Sequence, residues 1–132
     1  MRLGEITAIK VSDYRREKDE VKLWRTKNGD ERSVPLSTRA KELLDKLVLG
    51  KGRDDQIFPF SSEVLGTFFR RVRGVLGFTD LHFHDMRHEA ITRMAEKFDN
   101  ALQLSQVSGH RDMKHLARYY NPSASELVAR LG

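Results

Sequence analysis

Histidine and arginine crowd one short stretch of the chain, Leu81-His82-Phe83-His84-Asp85-Met86-Arg87-His88. On a helix, positions 84, 87 and 88 share a face, so two imidazoles and a guanidinium would point the same way. Three chemistries compete for such a face. His84 and His88 have the i, i+4 spacing of a helical zinc pair, although an arginine between them is electrostatically unhelpful beside a dication. A phosphate site would use Arg87 as a planar fork for non-bridging oxygens and His84 as a titratable donor. The third reading is a solvated basic face. The segment by itself leaves all three open.

A second group begins at Gly109-His110 and runs through Arg111, Lys114 and Arg118 to the pair Tyr119-Tyr120. A glycine at a helix stop lets the chain come close to a ligand, so the histidine after it can present its ring there. Tyrosine is a poor nucleophile at its ordinary pKa of about 10. Cations around it favour the phenolate and make it competent to attack a phosphodiester. A lone tyrosine near a helix end would be read as a packing residue with its hydroxyl at the surface. Following His84, Arg87 and His110, Tyr119 reads as a nucleophile.

Composition favours the same class of ligand. Lys and Arg number 24 against 19 Asp and Glu, a net charge of +5, and the pI is ≈ 9.7. A basic balance of this size is one footprint of nucleic-acid binding, because cationic side chains displace counterions from phosphates. Hydrophobic residues make up 39% and charged residues 33% of the chain, the proportions of a globular protein. Its 132 residues suit a single domain, 1–132, with one core. No apolar run approaches the about 18–20 residues that cross a bilayer, and no leader peptide is evident. With no cysteine there is no disulfide framework and no thiolate metal site, which fits a cytoplasmic protein.

The elements that must position these groups can be read from periodicity. Leu3, Ile6 and Ile9 recur as in the tail of a helix without a polar N-cap, which suggests an N-terminally truncated chain. Residues 20–27 alternate charged and apolar, Asn28-Gly29 suits a tight hairpin turn, and 31–36 resume the alternation. Pro35 places that return strand at an edge or an end. Residues 9–36 are therefore expected to form a small antiparallel sheet. From Ser37, a plausible N-cap, Ala40, Leu43, Leu44, Leu47 and Val48 form a helical stripe that Gly50-Lys51-Gly52 closes. Ile57-Phe58-Pro59-Phe60 reads as a short buried link. Ser61-Ser62-Glu63 opens a helix carrying Val64, Leu65, Phe68, Phe69, Val72 and Val75, which weakens at Gly74 and Gly77. A third helix is expected over 83–97 with Met86, Ala90, Ile91 and Met94 inward, then helices at 101–108 and about 112–120. Asn121-Pro122 ends the latter, and Ser123-Ala124-Ser125-Glu126 begins an amphipathic tail through Leu127, Val128 and Leu131. The expected class is α+β, mostly helical, with a small three-stranded antiparallel sheet near the N-terminus.

In this order the segments resemble a known family. His84-Asp85-Met86-Arg87-His88 is similar to the His-x-x-Arg box of tyrosine recombinases, the phage integrase family. Ser108-Gly109-His110 followed by Arg118-Tyr119 resembles that family's Gly-His and nucleophile segment. Arg2-Leu3-Gly4-Glu5-Ile6 resembles its first Arg box. Thr26-Lys27-Asn28-Gly29, then Arg32-Ser33-Val34-Pro35-Leu36, resembles the hairpin that carries its catalytic lysine. Together these segments cover essentially the whole chain.

The resemblance implies the fold of a DNA breaking and rejoining catalytic domain without the family's DNA-clamping N-terminal domain. It implies site-specific recombination of double-stranded DNA through a 3′-phosphotyrosyl intermediate, with no metal or cofactor. Arg2 and Arg87 would hold the scissile phosphate, Lys27 would protonate the leaving 5′-oxygen, and His84 would assist proton transfer from Tyr119. His110 would donate to a phosphate oxygen, while Glu5 and Asp85 would orient these groups. Tyr120 is adjacent to the nucleophile, and only register selects Tyr119. The cluster Arg70, Arg71 and Arg73 could follow the DNA backbone or form a solvated face. The tail 123–131 would dock on a neighbouring subunit, giving homo-oligomers and a tetrameric synapse on DNA, or would pack on its own chain. Bacterial or phage cytoplasm is the implied compartment. Two other readings stand beside this one: a non-catalytic DNA-binding or assembly module, and a metal-dependent phosphohydrolase built on His84, His88 and His110.

Overall fold

The computed structural model describes residues 1–24 and 29–132. Among the described residues, seven α-helices accompany a three-stranded sheet. Helix α1 (Leu3–Thr7) is only five residues long. It does have an N-cap arrangement: the Arg2 amide donates to Glu5 Oε2 at 2.7 Å. The expected missing cap is thus supplied from inside the helix, by a residue that carries the carboxylate of the first motif.

The sheet follows the alternation. Strands β1 (Tyr14–Arg15), β2 (Glu20–Leu23) and β3 (Arg32–Pro35) pair antiparallel in that order, with Val21 opposite Val34 and Leu23 opposite Arg32. Pro35 ends an edge strand, where its missing amide costs no ladder bond. Asp19 makes the β1–β2 turn at φ 51°, a left-handed conformation that short polar side chains tolerate. The inward-facing Val21, Leu23 and Val34 join Ile9, Leu44 and Ile57 in one core. Of the expected buried link, Ile57 is fully buried, its amide donating to the Ile9 carbonyl at 2.9 Å, and Phe58 packs half-buried on the same core, whereas Phe60 is exposed.

Helix α2 (Thr38–Leu47) starts where Ser37 Oγ accepts from the Ala40 amide at 3.2 Å. Of its apolar stripe only Leu44 is buried, while Leu43 and Leu47 are exposed. Helix α3 (Ser62–Val75) is capped by Ser61 in the same way and buries no residue fully. Its Phe69 packs edge-on against Phe83 with ring centroids 5.4 Å apart, and Val64, Phe68, Val72 and Val75 face outward.

A second core joins the remaining helices. Ile91 of α4 (Phe83–Ala95), Leu104 of α5 (Ala101–Ser108) and Leu116 of α6 (Lys114–Ala117) meet there, with Phe98, Tyr119 and Tyr120 around them. The inward side of α4 differs from expectation. Arg87 and Ile91 are buried and Met94 half-buried, whereas Met86 and Ala90 are exposed. Counting Arg87 as polar moved the expected stripe one position round the helix. Helix α6 is shorter than expected, and Tyr119 and Tyr120 follow it in a tighter turn, their amides bonded to the Leu116 and Ala117 carbonyls. Helix α7 (Ala124–Leu131) is capped by Ser123 and Glu126 and has no buried residue. Helix α5 lies across β3, so Val107 packs on the sheet core and links the two cores. Among the described residues, no helix is long and apolar enough to cross a membrane.

Candidate active site

The site grows from Glu5, a carboxylate buried to 8% exposure on α1. Arg32 of β3 grips it with Nη1 to Oε1 at 3.0 Å and Nη2 to Oε2 at 2.8 Å. Arg2 adds a longer bond from Nη1 to Oε1 at 3.2 Å. Burial alone would raise the Glu5 carboxyl, but the Arg32 hydrogen bonds, the Arg2 amide and both positive charges hold it below its ordinary value. Arg32 also donates from Nε to the Val107 carbonyl at 3.3 Å, tying β3 to the end of α5.

That end carries the next group. Gly109 closes α5 with φ 75°, and a β-carbon there would stand 2.5 Å from Arg32 Nη1. Glycine is therefore required twice over, for conformation and for the close approach of Arg32. His110 follows, its Nδ1 2.7 Å from Ser108 Oγ. Burial, then the charges of Arg87 and Arg2, push its imidazole down to about 4. The ring is neutral at neutral pH, and in the tautomer whose Nδ1 accepts from the Ser108 hydroxyl an Nε2–H is free for a ligand.

Arg87 reaches the same place from α4. Its Nη2 donates to the Ser108 carbonyl at 2.7 Å, while its buried Nη1 has no hydrogen-bond partner among the described residues. Burial and the Arg2 charge push Arg87 below its ordinary range. His84 lies one turn earlier and meets His88 edge to face at 4.8 Å. Burial, then His88, Arg87 and Arg2, lower its pKa, which favours the neutral ring. Asp85 does not serve His84 closely; it turns back to accept from the His82 amide at 2.7 Å and caps α4.

Tyr119 lies just past the C-cap of α6. Arg118 covers its ring at 4.9 Å and donates from Nη2 to the hydroxyl at 2.8 Å, with His88 Nδ1 3.4 Å from the same nitrogen. A cleft of ≈ 320 Å³ is lined by Tyr119 together with His88, His110, His115, Lys114 and Arg118. The two tyrosines differ in what their hydroxyls do. Tyr120 donates to the Phe98 carbonyl at 3.2 Å and is pushed up by burial and Asp99, whereas Tyr119 faces the cationic cleft.

Arg2, His84, Arg87 and His110 thus lie within electrostatic reach of one another, and His110 shares a cleft with Tyr119. Lys27 lies outside the described residues. The Arg70, Arg71 and Arg73 cluster does not face the site as a unit: Arg73 donates to the Leu81 carbonyl and Arg70 to Thr67 Oγ1 at 2.9 Å. Among the described residues, no three His, Asp or Glu side chains converge as a metal site, so His84, His88 and His110 do not form one.

Sequence reasoning missed Arg32. The signal was present: strand alternation puts Arg32 on the same face as buried Val34, where a guanidinium needs a buried partner. What alternation could not supply was the partner, Glu5, 27 positions away.

Comparison with known proteins gives this arrangement a context. The phage integrase family matches residues 1–126. An integrase/recombinase of Haemophilus influenzae is 36% identical over 132 residues, covering 99% of this chain and 43% of that protein. The shufflon-specific DNA recombinase of Escherichia coli is also 36% identical over 132 residues, covering 99% of this chain and 34% of that protein. The chain therefore spans less than half the length of these relatives. The Tn1549 transposon integrase, solved in complex with circular intermediate DNA, shares the fold with a TM-score of 0.78 at 16% identity, over 100% of this chain and 53% of that one. A match over nearly every residue, on a fold that brings Arg2, Arg32 and Arg87 to one buried carboxylate, leads to one conclusion: the chain belongs to the phage integrase family.

Proposed function

We propose that the chain is the strand-cleaving and rejoining part of a site-specific DNA recombinase, with Tyr119 as nucleophile. The observation that carries this reading is the buried Arg87 Nη1 without a partner, in a cluster where Arg2, Arg32 and Arg87 face the single carboxylate of Glu5. A buried donor left unsatisfied is costly, and an excess of buried cations more so, unless an anion completes the site. A phosphodiester is an anion of the right shape for a planar guanidinium fork.

In the proposed reaction the Tyr119 oxygen attacks phosphorus and gives its proton to neutral His84. Negative charge grows on the non-bridging oxygens, where Arg2, Arg87 and the His110 Nε2–H stabilise it. The bond from phosphorus to the 5′-oxygen breaks, Lys27 supplies the proton to that oxygen, and a 3′-phosphotyrosyl ester remains. Attack of a 5′-hydroxyl on this ester rejoins the strand, so bond energy is conserved. The exposed apolar side of α7, with Leu127, Val128 and Leu131, suits docking on a neighbouring copy in a tetrameric synapse on DNA. The bacterial or phage cytoplasm is the proposed compartment.

The test is covalent trapping on a nicked suicide duplex. The wild-type chain is expected to form an adduct, Tyr119→Phe none, and Tyr120→Phe an adduct with about 1 kcal/mol lower stability from the lost Phe98 bond. An adduct lost in Tyr120→Phe and kept in Tyr119→Phe would overturn the assignment. DNA binding with a steep salt slope and no adduct in the wild type would instead support a binding module.

A further inference from the structure

Glu5 has four lone-pair positions, and four donors fill them. Oε1 accepts from Arg32 Nη1 at 3.0 Å and Arg2 Nη1 at 3.2 Å, and Oε2 from the Arg2 amide at 2.7 Å and Arg32 Nη2 at 2.8 Å. The guanidinium with the parallel, two-point grip is that of Arg32. Its side chain is 9% exposed, that of Glu5 6% and that of Arg2 28%. Arg32 is also the most fully occupied of the three arginines, since its Nε is taken by the Val107 carbonyl. Arg2 makes one long side-chain contact with Glu5, and Arg87 keeps an unpartnered nitrogen.

An arginine beside a buried carboxylate takes the bidentate geometry when it can, because that arrangement is the strongest available. Arg2, three residues from Glu5 in sequence, would take it if Arg32 did not. We infer that Arg32 is a positioning residue: by occupying Glu5 it keeps the Arg2 guanidinium available to a phosphate oxygen.

Its place in the fold serves the same end. Arg32 stands opposite Leu23 at the base of the hairpin connection that contains Lys27, and it touches the α5 end that leads to His110. One side chain therefore ties α1, β3 and the end of α5 together, and it does so while neutralising the charge that would otherwise capture Arg2.

This inference rests on the proposed strand-cleavage reading, and two measurements separate the two. The first is the rate of adduct formation on the suicide duplex by the 132-residue chain, beside its affinity for the same uncleavable duplex. Arg32→Met is expected to slow the adduct about 100-fold, the scale of losing one preorganised donor, with affinity changed less than about threefold. The double variant Arg32→Met/Glu5→Gln removes the competing charge and is expected to recover at least about tenfold over Arg32→Met. If Arg32 acts only as structural glue, the double variant is no faster than the single one, and that result overturns the inference.

The second measurement is solvent exchange of the Arg2 Nε–H by heteronuclear NMR, which needs no cleavage. Exchange is expected to slow in Arg32→Met, as Arg2 closes on Glu5, and to return in the double variant; unchanged exchange in Arg32→Met overturns the inference. A wild type that makes no adduct refutes the strand-cleavage reading, and the exchange measurement then decides Arg32 alone. If Arg32→Met does not fold, Arg32→Lys takes its place. Lysine offers a single-point donor that frees part of Glu5, so an intermediate loss of about tenfold and partly slowed exchange are expected. A lysine variant equal to wild type in both respects overturns the inference.

Discussion

Gly109→Ala puts the packing of the site to a quantitative test. The backbone at Gly109 has φ 75°, and a β-carbon there would lie 2.5 Å from Arg32 Nη1 and 2.7 Å from its Cζ. Two costs follow. Holding alanine in the left-handed region costs about 1–2 kcal/mol. Displacing Arg32 weakens its charge-assisted bonds to Glu5, worth about 1.5–3 kcal/mol. The guanidinium cannot simply swing aside, because Glu5 and the Val107 carbonyl hold it at three nitrogens. Gly50→Ala is the control: Gly50 has φ 74° and nothing within 4 Å of a β-carbon, so it incurs the first cost alone. Thermal unfolding of both variants is the assay. For a chain of this size each kcal/mol shifts Tm by roughly 3–5 °C, so the second cost of about 1.5–3 kcal/mol should make Gly109→Ala melt roughly 5–15 °C below Gly50→Ala. In an Arg32→Met background that extra loss should disappear, since the obstructing atoms are gone. Equal melting temperatures for the two glycine variants would refute the close approach of Arg32 to Gly109.

Two further outcomes concern the charges. Arg87→Met removes a buried cation with an unpartnered nitrogen, so stability should stay within about 1 kcal/mol of wild type while adduct formation is lost; a loss of several kcal/mol would show that Arg87 is a packing residue first. The folded-state pKa of His110, pushed down to about 4 by burial and by Arg87, Arg2, His115 and His88, lies below its unfolded value of 6.5. The unfolded chain then binds the proton more readily, so stability is held above pH 6.5 and falls as pH drops toward 4. Glu5, whose pKa is also lowered, acts in the same direction at lower pH. In acid titrations followed by circular dichroism, His110→Gln should flatten the upper part of this fall.

Local rules recovered the elements that are bracketed by their own chemistry. Helix α5 spans the expected residues because Asn100 caps it, accepting from the Gln103 amide, and Gly109 stops it. The sheet was legible because Val21, Leu23 and Val34 alternate with polar neighbours. Inferences about which side was inside held for Ile91 and Ile57 but failed elsewhere. Arg87 reads as a surface residue by type, and only the assembly of α4 against α5 shows it buried over the Ser108 carbonyl. The apolar stripe of α3 reads as core, yet most of it faces outward. The choice between Tyr119 and Tyr120 rested on register in the sequence, whereas the structure separates them by hydroxyl partner, Arg118 for one and the Phe98 carbonyl for the other. Arg32 escaped notice because its partners lie 27 and 75 positions away.

Those separations carry a consequence for how the chain folds. The link from Arg32 to Glu5 and Val107 closes two large loops, and loop closure must be offset before distant contacts stabilise anything. The helices can form early from local contacts, with Tyr119 already present beside α6. The guanidinium cluster can form only when β3, α1 and α5 have docked. A partly folded chain therefore carries Tyr119 with its neighbour Arg118 but without the cluster of Arg2, Arg32 and Arg87. On the proposed strand-cleavage reading, full competence toward a phosphodiester would belong to the finished fold, and DNA would be shielded from partly folded chains.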